Sequence, residues 1–230
     1  MSLPDIDKRS IDRVMDDVIH VSKSLFEMGL VKSTFGVVSE IIPDTNYVVI
    51  TPSGFRKEKV TKENLIIVDL DGKVVLGDLR PSTETPMHVY IHKHVKEAKC
   101  VIHSHSPMAT VFAILKRDIP CITSEQAFMF GGRIPVVKKY SLPGTSNIEE
   151  LESIAESLRN SKAALLPRHG VIVHGEGAEE ALDNAIVVED IAQMAIFALL
   201  LGQPIEFTDR EIAYLQEYRR TRYGQKIQKR

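Results

Sequence analysis

The chain of 230 residues has only two cysteines, no strong excess of charge of either sign and no long uninterrupted apolar run. Each shortage excludes something. Cys100 and Cys121 sit among apolar neighbours, in "AKCVI" and "IPCIT". They read as small buried thiols of a reducing compartment, not as a disulfide framework. Lys and Arg number 29 against 31 Asp and Glu, for a formal net charge of -2, and neither half is strongly basic. That removes the electrostatic case for a nucleic-acid partner. The N-terminus "MSLPDIDKRS" is polar and lacks an apolar signal core. The run near "AIFALLLG" is too short to span a bilayer and belongs to an amphipathic pattern. The expectation is a cytoplasmic protein with no membrane partner. Internal repeats and low-complexity linkers are absent, and the length suits one sizeable domain, 1–230. The apolar fraction of 43% and charged fraction of 26% are ordinary for a globular protein.

What is present is a regular alternation of patterns. Ile11, Val14, Met15, Val18 and Leu25 form a helical stripe from about Ser10 to Met28, with Ser10 as N-cap and Gly29 as stop. "STFGVVSEII" and "YVVITP" read as strands broken by the turn "PDTN". "LIIVDLDGKVVLG" reads as a hairpin with Asp71-Gly72 as its two-residue turn. "PSTETPMHVYIHKHV" is a loop entering a helix, with Pro86 at the first helical position. A strand then carries His103 and His105, and a helix begins near Pro107. "AALLP" and "GVIVHG" are short strands with "RH" between them. A long amphipathic helix ends at Gly202, and a polar helix starts near Asp209. The fold class expected is α/β: a three-layer α/β/α sandwich around a central, largely antiparallel mixed sheet.

The chemistry begins with "CVIHSHSPMAT". In a strand, side chains at i and i+2 share a face, so His103 and His105 can reach one metal ion; a pair of surface histidines is the plain alternative. His169, before Gly170, sits where a loop can aim a side chain inward. Glu84 is the lone carboxylate beside Ser82 and Thr83 in "PSTET", and Ser53-Gly54 end a strand in "TPSGF". Three imidazoles with a carboxylate make a usual zinc shell. Hydroxyls and a glycine amide just ahead of a helix N-terminus make an anion site. A metal beside a phosphate cradle suggests a phosphorylated sugar whose carbonyl the metal polarises. His88 and His92, at i and i+4, with His94 nearby, offer a competing metal pair. A solvated helix face rich in lysine (Lys93, Lys96, Lys99) is the favoured reading of that stretch.

The ordered set "ITPSG", "DLDG", "PSTETPMH", "VIHSHSPMAT" and "RHG" resembles the class II aldolase/adducin superfamily, over roughly Ile11 to Gln225. Its members include L-fuculose-phosphate aldolases, L-ribulose-5-phosphate 4-epimerases and methylthioribulose-phosphate dehydratases. The resemblance implies a metal on His103, His105 and His169 with Glu84 beside it. It implies phosphate contacts from Gly36, Ser53, Gly54, Ser82 and Thr83, and proton transfer by Glu84. It also implies a C4 homotetramer with active sites between subunits. The tail, about 209–230, would then reach a neighbour and bring Tyr223 of "TRYGQ" to handle the proton at the aldehyde oxygen. The implied cofactor is Zn2+, with Mn2+ or Co2+ as substitutes.

Three positions depart from the pattern. The family's G-N-x-S reads "GVVS", with Val37 in place of the phosphate-holding Asn. The aldolase Tyr after "IP" falls on Ser124. The epimerase Asp falls on Phe128, with Glu125 close by. Glu84, where epimerases have Asp, favours an aldolase acting on a phosphorylated ketose such as L-fuculose 1-phosphate. The "YGQ" ending favours the epimerase. The dehydratase follows, and an adducin-like interaction module, which lacks the histidines, comes last.

Overall fold

A computed structural model describes residues 6–224. Seven strands form one sheet in the order β4-β3-β2-β1-β5-β7-β6. They are β1 (Val37–Ile41), β2 (Tyr47–Ile50), β3 (Ile66–Asp69), β4 (Val74–Leu76), β5 (Cys100–Ser104), β6 (Ala163–Leu166) and β7 (Gly170–Gly175). Every ladder is antiparallel. Parallel pairing among the described residues is confined to the isolated bridge Val136↔Leu165. The central strands are short apolar runs buried along their whole length, as a sheet covered on both faces requires.

Seven α-helices cover it: α1 (Lys8–Glu27), α2 (Thr85–His94), α3 (Pro107–Leu115), α4 (Ser124–Phe130), α5 (Ile148–Asn160), α6 (Ala178–Leu201) and α7 (Asp209–Arg222). The alternation of strand residues decides which helix packs where. Val38, Val49, Ile67, Cys100, Ile102, Val171 and Val173 face α1, α3 and α6. Val101, Ala164, Leu166 and Ile172 face α2 and α5. On the second face Val37, Val48, Ile50, Ile66 and Val68 close against Val89 of α2. The result is the α/β/α sandwich expected from the sequence.

Several local expectations change. Asp7 caps α1 by accepting from Arg9 N, and Ser10 lies inside the helix. The β3–β4 connection is wider than a two-residue turn. Asp69 N donates to Lys73 O, and the Asp69 carboxylate accepts from Asp71 N and Lys73 N, leaving Leu70, Asp71 and Gly72 between. Helices α4 and α5 occupy a stretch for which the sequence pattern gives no assigned element. Helix α6, with 24 residues, is long and apolar enough to cross a membrane. Here it packs on the sheet through residues such as Ala181, Ala185, Val188 and Ala192.

The stretch with His88, His92 and His94 is not a solvated face. His94 is exposed and stacks on Tyr90, but His88 and His92 are buried. Ser39 Oγ of β1 lies 2.7 Å from His88 Nδ1 and 2.8 Å from His92 Nε2, and His92 Nδ1 donates to Ala98 O at 2.8 Å. That last bond fixes the tautomers: Ser39 donates to His92 and accepts from His88. Burial holds both imidazoles neutral, with His92 pulled down to about 4 and His88 pulled well below the usual histidine range. The pair therefore pins α2 to β1 and the loop before β5. Ser39→Ala leaves two buried ring nitrogens without partners and should cost roughly 2–4 kcal/mol in urea unfolding. A loss under about 0.5 kcal/mol, the usual size of a surface substitution, would refute the pinning role.

Candidate active site

Strand β5 delivers His103 from its buried second face, across from Val37 on one side and Ile172 on the other. His105 follows just past the strand end, before Pro107 opens α3. The Glu189 carboxylate of α6 accepts from Met108 N and Ala109 N, satisfying orphan donors at the α3 N-terminus and fixing how the chain leaves the site. His169 sits at the end of the β6–β7 turn, where Arg168 adopts φ 58 and His169 N donates to Leu166 O. Gly170 follows because nothing larger fits. A Cβ there would stand 2.3 Å from Ser104 O and 3.2 Å from His103 Cε1.

The three imidazoles meet through the same atom. His105 Nε2 lies 3.0 Å from His103 Nε2 and 3.2 Å from His169 Nε2. Ligands about 2.0–2.1 Å from a tetrahedral ion stand roughly 3.3 Å apart, so the triad has the spacing of a metal site. Two of the outer nitrogens are occupied in the way that requires. His103 Nδ1 donates to Val171 O at 2.9 Å, leaving Nε2 as a lone pair. His169 Nδ1 lies 2.6 Å from the Tyr140 hydroxyl. Burial pulls both His103 and His169 down to about 3, so both are neutral, the ligating form. Desolvation also lowers His105.

Glu84, just ahead of α2, supplies the fourth side. Its Oε2 lies 3.3 Å from His103 Nε2 and its Oε1 3.8 Å from His169 Nε2. Oε1 is buried with no hydrogen-bond partner. Burial raises the Glu84 pKa, against the pull of His169 and His105. Three neutral imidazoles and an orphaned carboxylate oxygen converging on one point fit a divalent cation.

The remaining expected site residues divide into those gathered here and those held elsewhere. Ser53-Gly54 and Ser82-Thr83 are brought side by side by the Pro52↔Pro81 bridge and by Ser53 N donating to Arg80 O at 2.9 Å. Ser82 Oγ accepts from Glu84 N, so this hydroxyl also shapes the turn into α2. Gly36, at φ +83, lets the preceding loop close on β5; a Cβ there would lie 2.6 Å from Val31 Cγ1 and 3.0 Å from His103 O. Val37 is buried in the apolar cluster with Val48 and Ile50 and offers no hydrogen bond. Tyr223 does not join the triad of its own chain. It is 69% exposed, with its ring edge-on to Phe128 at 4.6 Å. Helix α7 docks on α4 of the same chain, with Gln216 donating to Ala127 O and Phe128 O and Arg219 pairing with Glu180. Among the described residues the side chains of Ser124 and Glu125 bond only each other, at the exposed start of α4. The tail beyond Gly224 lies outside the described residues.

Two contacts escaped sequence reasoning. Tyr140 lies in a loop, and its role shows only once His169 folds against it. Phe35, exposed at the mouth, stacks on His105 at 5.2 Å.

Such a sandwich carries at its sheet end a histidine triad that could hold a metal ion, with an acid adjoining it. The chain belongs to the Class II Aldolase and Adducin N-terminal domain family, which matches residues 16–196. It is 32% identical over 209 residues to the "Probable L-ribulose-5-phosphate 4-epimerase UlaF" of Mycoplasma pneumoniae, covering 86% of each chain. A solved L-fuculose 1-phosphate aldolase superposes with a TM-score of 0.84 at 28% identity, over 89% of this chain and 95% of that one. The L-fuculose-1-phosphate aldolase of Thermus thermophilus gives 0.73 at 26% identity, over 84% and 100%. These relatives are enzymes of the aldolase and epimerase type, and so is this chain.

Because the Tyr140 oxygen accepts from His169 Nδ1–H when Nε2 faces a metal, it fixes the ligating tautomer. Tyr140→Phe should weaken metal affinity about 10–100-fold in chelator competition. Wild-type affinity in that variant would remove Tyr140 from the site.

Proposed function

We propose that the protein is a metal-dependent aldolase that cleaves a phosphorylated ketose, such as L-fuculose 1-phosphate, by retro-aldol chemistry. The Glu84 carboxylate carries this reading: it is buried, turned onto three converging Nε2 atoms, and holds one oxygen without a partner. A divalent ion on His103, His105 and His169 supplies Lewis acidity, polarising the ketose carbonyl and offsetting the charge left as the C–C bond breaks. Zinc suits three imidazoles best, with manganese or cobalt as substitutes.

The residues of the chain do the rest. Ser53, Gly54, Ser82 and Thr83 line adjacent turns at the entry to α2 and hold the phosphate, with Gly36 allowing close approach. Glu84 returns a proton to the carbon exposed by cleavage, and its burial favours the protonated form needed to do so. Tyr223 exchanges the proton of the hydroxyl that becomes the aldehyde. Since Tyr223 is exposed on the α4–α7 surface and not at the triad of its own chain, it serves the site of a neighbouring subunit in a homotetramer.

A second reading has its own support. The Mycoplasma pneumoniae relative is described as an epimerase, and the tail reads "TRYGQ". An epimerase makes the same cleavage, rotates the aldehyde and re-adds it. Product analysis of the metal-loaded protein on ketose phosphates separates the two. We expect a triose phosphate and a free aldehyde; a C4-inverted pentulose phosphate without free aldehyde would establish the epimerase instead.

Glu84→Gln should retain the metal and lose about 10²–10⁴-fold in kcat. Near-normal turnover would take Glu84 out of proton transfer. For the intersubunit site, His103→Ala and Tyr223→Phe should each be impaired alone. Refolded together they should recover activity, because mixed tetramers contain sites with both residues intact. A mixture no more active than its parts would place Tyr223 outside the neighbour's site.

A further inference from the structure

A buried cation without a carboxylate partner stands where two of the substrate loops meet. Lys57 opens a 3₁₀ turn, Lys57–Lys59, and is 1% exposed. Its Nζ donates to Phe55 O at 3.0 Å and to Thr34 O at 3.4 Å. Phe55 directly follows Gly54, and Thr34 lies two residues before Gly36. One ammonium therefore ties the loop after β2 to the loop before β1. An ammonium has three donors, and both acceptors here are neutral carbonyls. Among the described residues Lys57 makes no salt bridge, while the adjacent Glu58 pairs with Arg56. Its charge is felt at His103 and His105, so it lies within electrostatic reach of the triad. Burial draws its pKa down to about 8 against the attraction of the neighbouring Glu58 carboxylate, which leaves it largely protonated at neutral pH.

A charge buried in this way is costly unless something of opposite sign meets it. The same loops hold Gly36, Ser53 and Gly54, and their neighbour Val37 brings no polar group. The Glu58 carboxylate attracts Lys57 but makes its contact with Arg56, so among the described residues no opposite charge meets the ammonium directly, and Val37 adds no polar contact there. We propose that Lys57 is the counter-ion for the anionic end of the substrate, a phosphate monoester, and sets the preference for phosphorylated over neutral ketoses. This rests on the reading above that the substrate carries a phosphate.

The test uses the full-length, metal-loaded protein and inorganic phosphate as probe, followed by calorimetry. Lys57→Met removes the charge. Lys57→Gln removes it but keeps an amide able to donate to the Thr34 and Phe55 carbonyls. Both should bind phosphate about tenfold or more weakly, the scale of one charge-assisted contact. Both should raise KM for the phosphorylated ketose more than they lower kcat, with metal content unchanged. Melting temperature should stay level or rise, since an uncompensated charge has gone. Phosphate affinity within about twofold of wild type in both variants overturns the proposal. So does recovery by Gln of what Met loses, or failure of both to fold, since either makes Lys57 a brace between loops. If the wild-type protein does not bind phosphate, the phosphorylated substrate itself falls, an outcome distinct from a wild type that binds and variants that bind equally well.

Discussion

Desolvation of three imidazoles around one point is the constraint on which the rest of this structure depends. Neutral histidines gain little from crowding their lone pairs together, and the Nε2 atoms here stand 3.0 and 3.2 Å apart. Rigid backbone must hold them. The β5–β7 ladder does so, setting His103 opposite Ile172 and Ser104 opposite Val171. Val171 O then takes the Nδ1 proton of His103. Gly170 admits the approach of the two strands, and its neighbour His169 is carried to the triad by the same turn. A sheet buried on both faces cannot slip its register without sending apolar residues to the wrong layer. The core thereby fixes the site.

Helix α2 works under a related constraint. Glu84 precedes it and meets the triad; His88 and His92 follow at helical spacing and are held by Ser39. Any rotation of α2 that improved one contact would break the other. The orphaned Glu84 Oε1 is therefore the consequence of a position imposed by the helix, not of a loose side chain. An unpaired buried oxygen is unfavourable in the chain by itself and favourable beside a cation, which is how a polar site stays ready for its ligand.

Much of this was legible in the sequence, for identifiable reasons. The i, i+2 spacing of His103 and His105 suggested a shared face, which holds although β5 ends at Ser104 and His105 lies one residue beyond it, and His169 before Gly170 was readable as a loop position aimed inward. Fully buried strands and amphipathic helices announced a two-faced sheet. What escaped depended on tertiary neighbours. His88 and His92 lie near Lys93, Lys96 and Lys99 in sequence, yet α2 turns Lys93 outward and both imidazoles onto Ser39, and Lys96 and Lys99 lie exposed beyond its end. Tyr140 occupies a loop with no periodic signal, and its partner is 29 residues away. Lys57 sits among charged residues in "RKEK", where nothing in the local pattern distinguishes a buried ammonium from an exposed one.

The placement of Tyr223 shows how a short chain divides its work. The triad and Glu84 are carried by the sheet and the start of α2, where burial is deepest. Helix α7 has no buried residue and is held by a capping box at Thr208, by the Gln216 and Arg219 contacts to α4 and by the Glu180 ion pair. Those contacts suffice to order a helix that is polar on most faces. They direct its end, with Tyr223 against Phe128, to the outer surface. The two reactions weighed for this protein share their first bond cleavage and differ in what happens to the aldehyde afterwards. Ser124, Glu125 and Phe128 stand on α4, at the positions where the aldolase and epimerase patterns diverge. The histidine triad thus rests on the most constrained part of the fold, and the positions at which the two sequence patterns part lie on α4, at and near its exposed start.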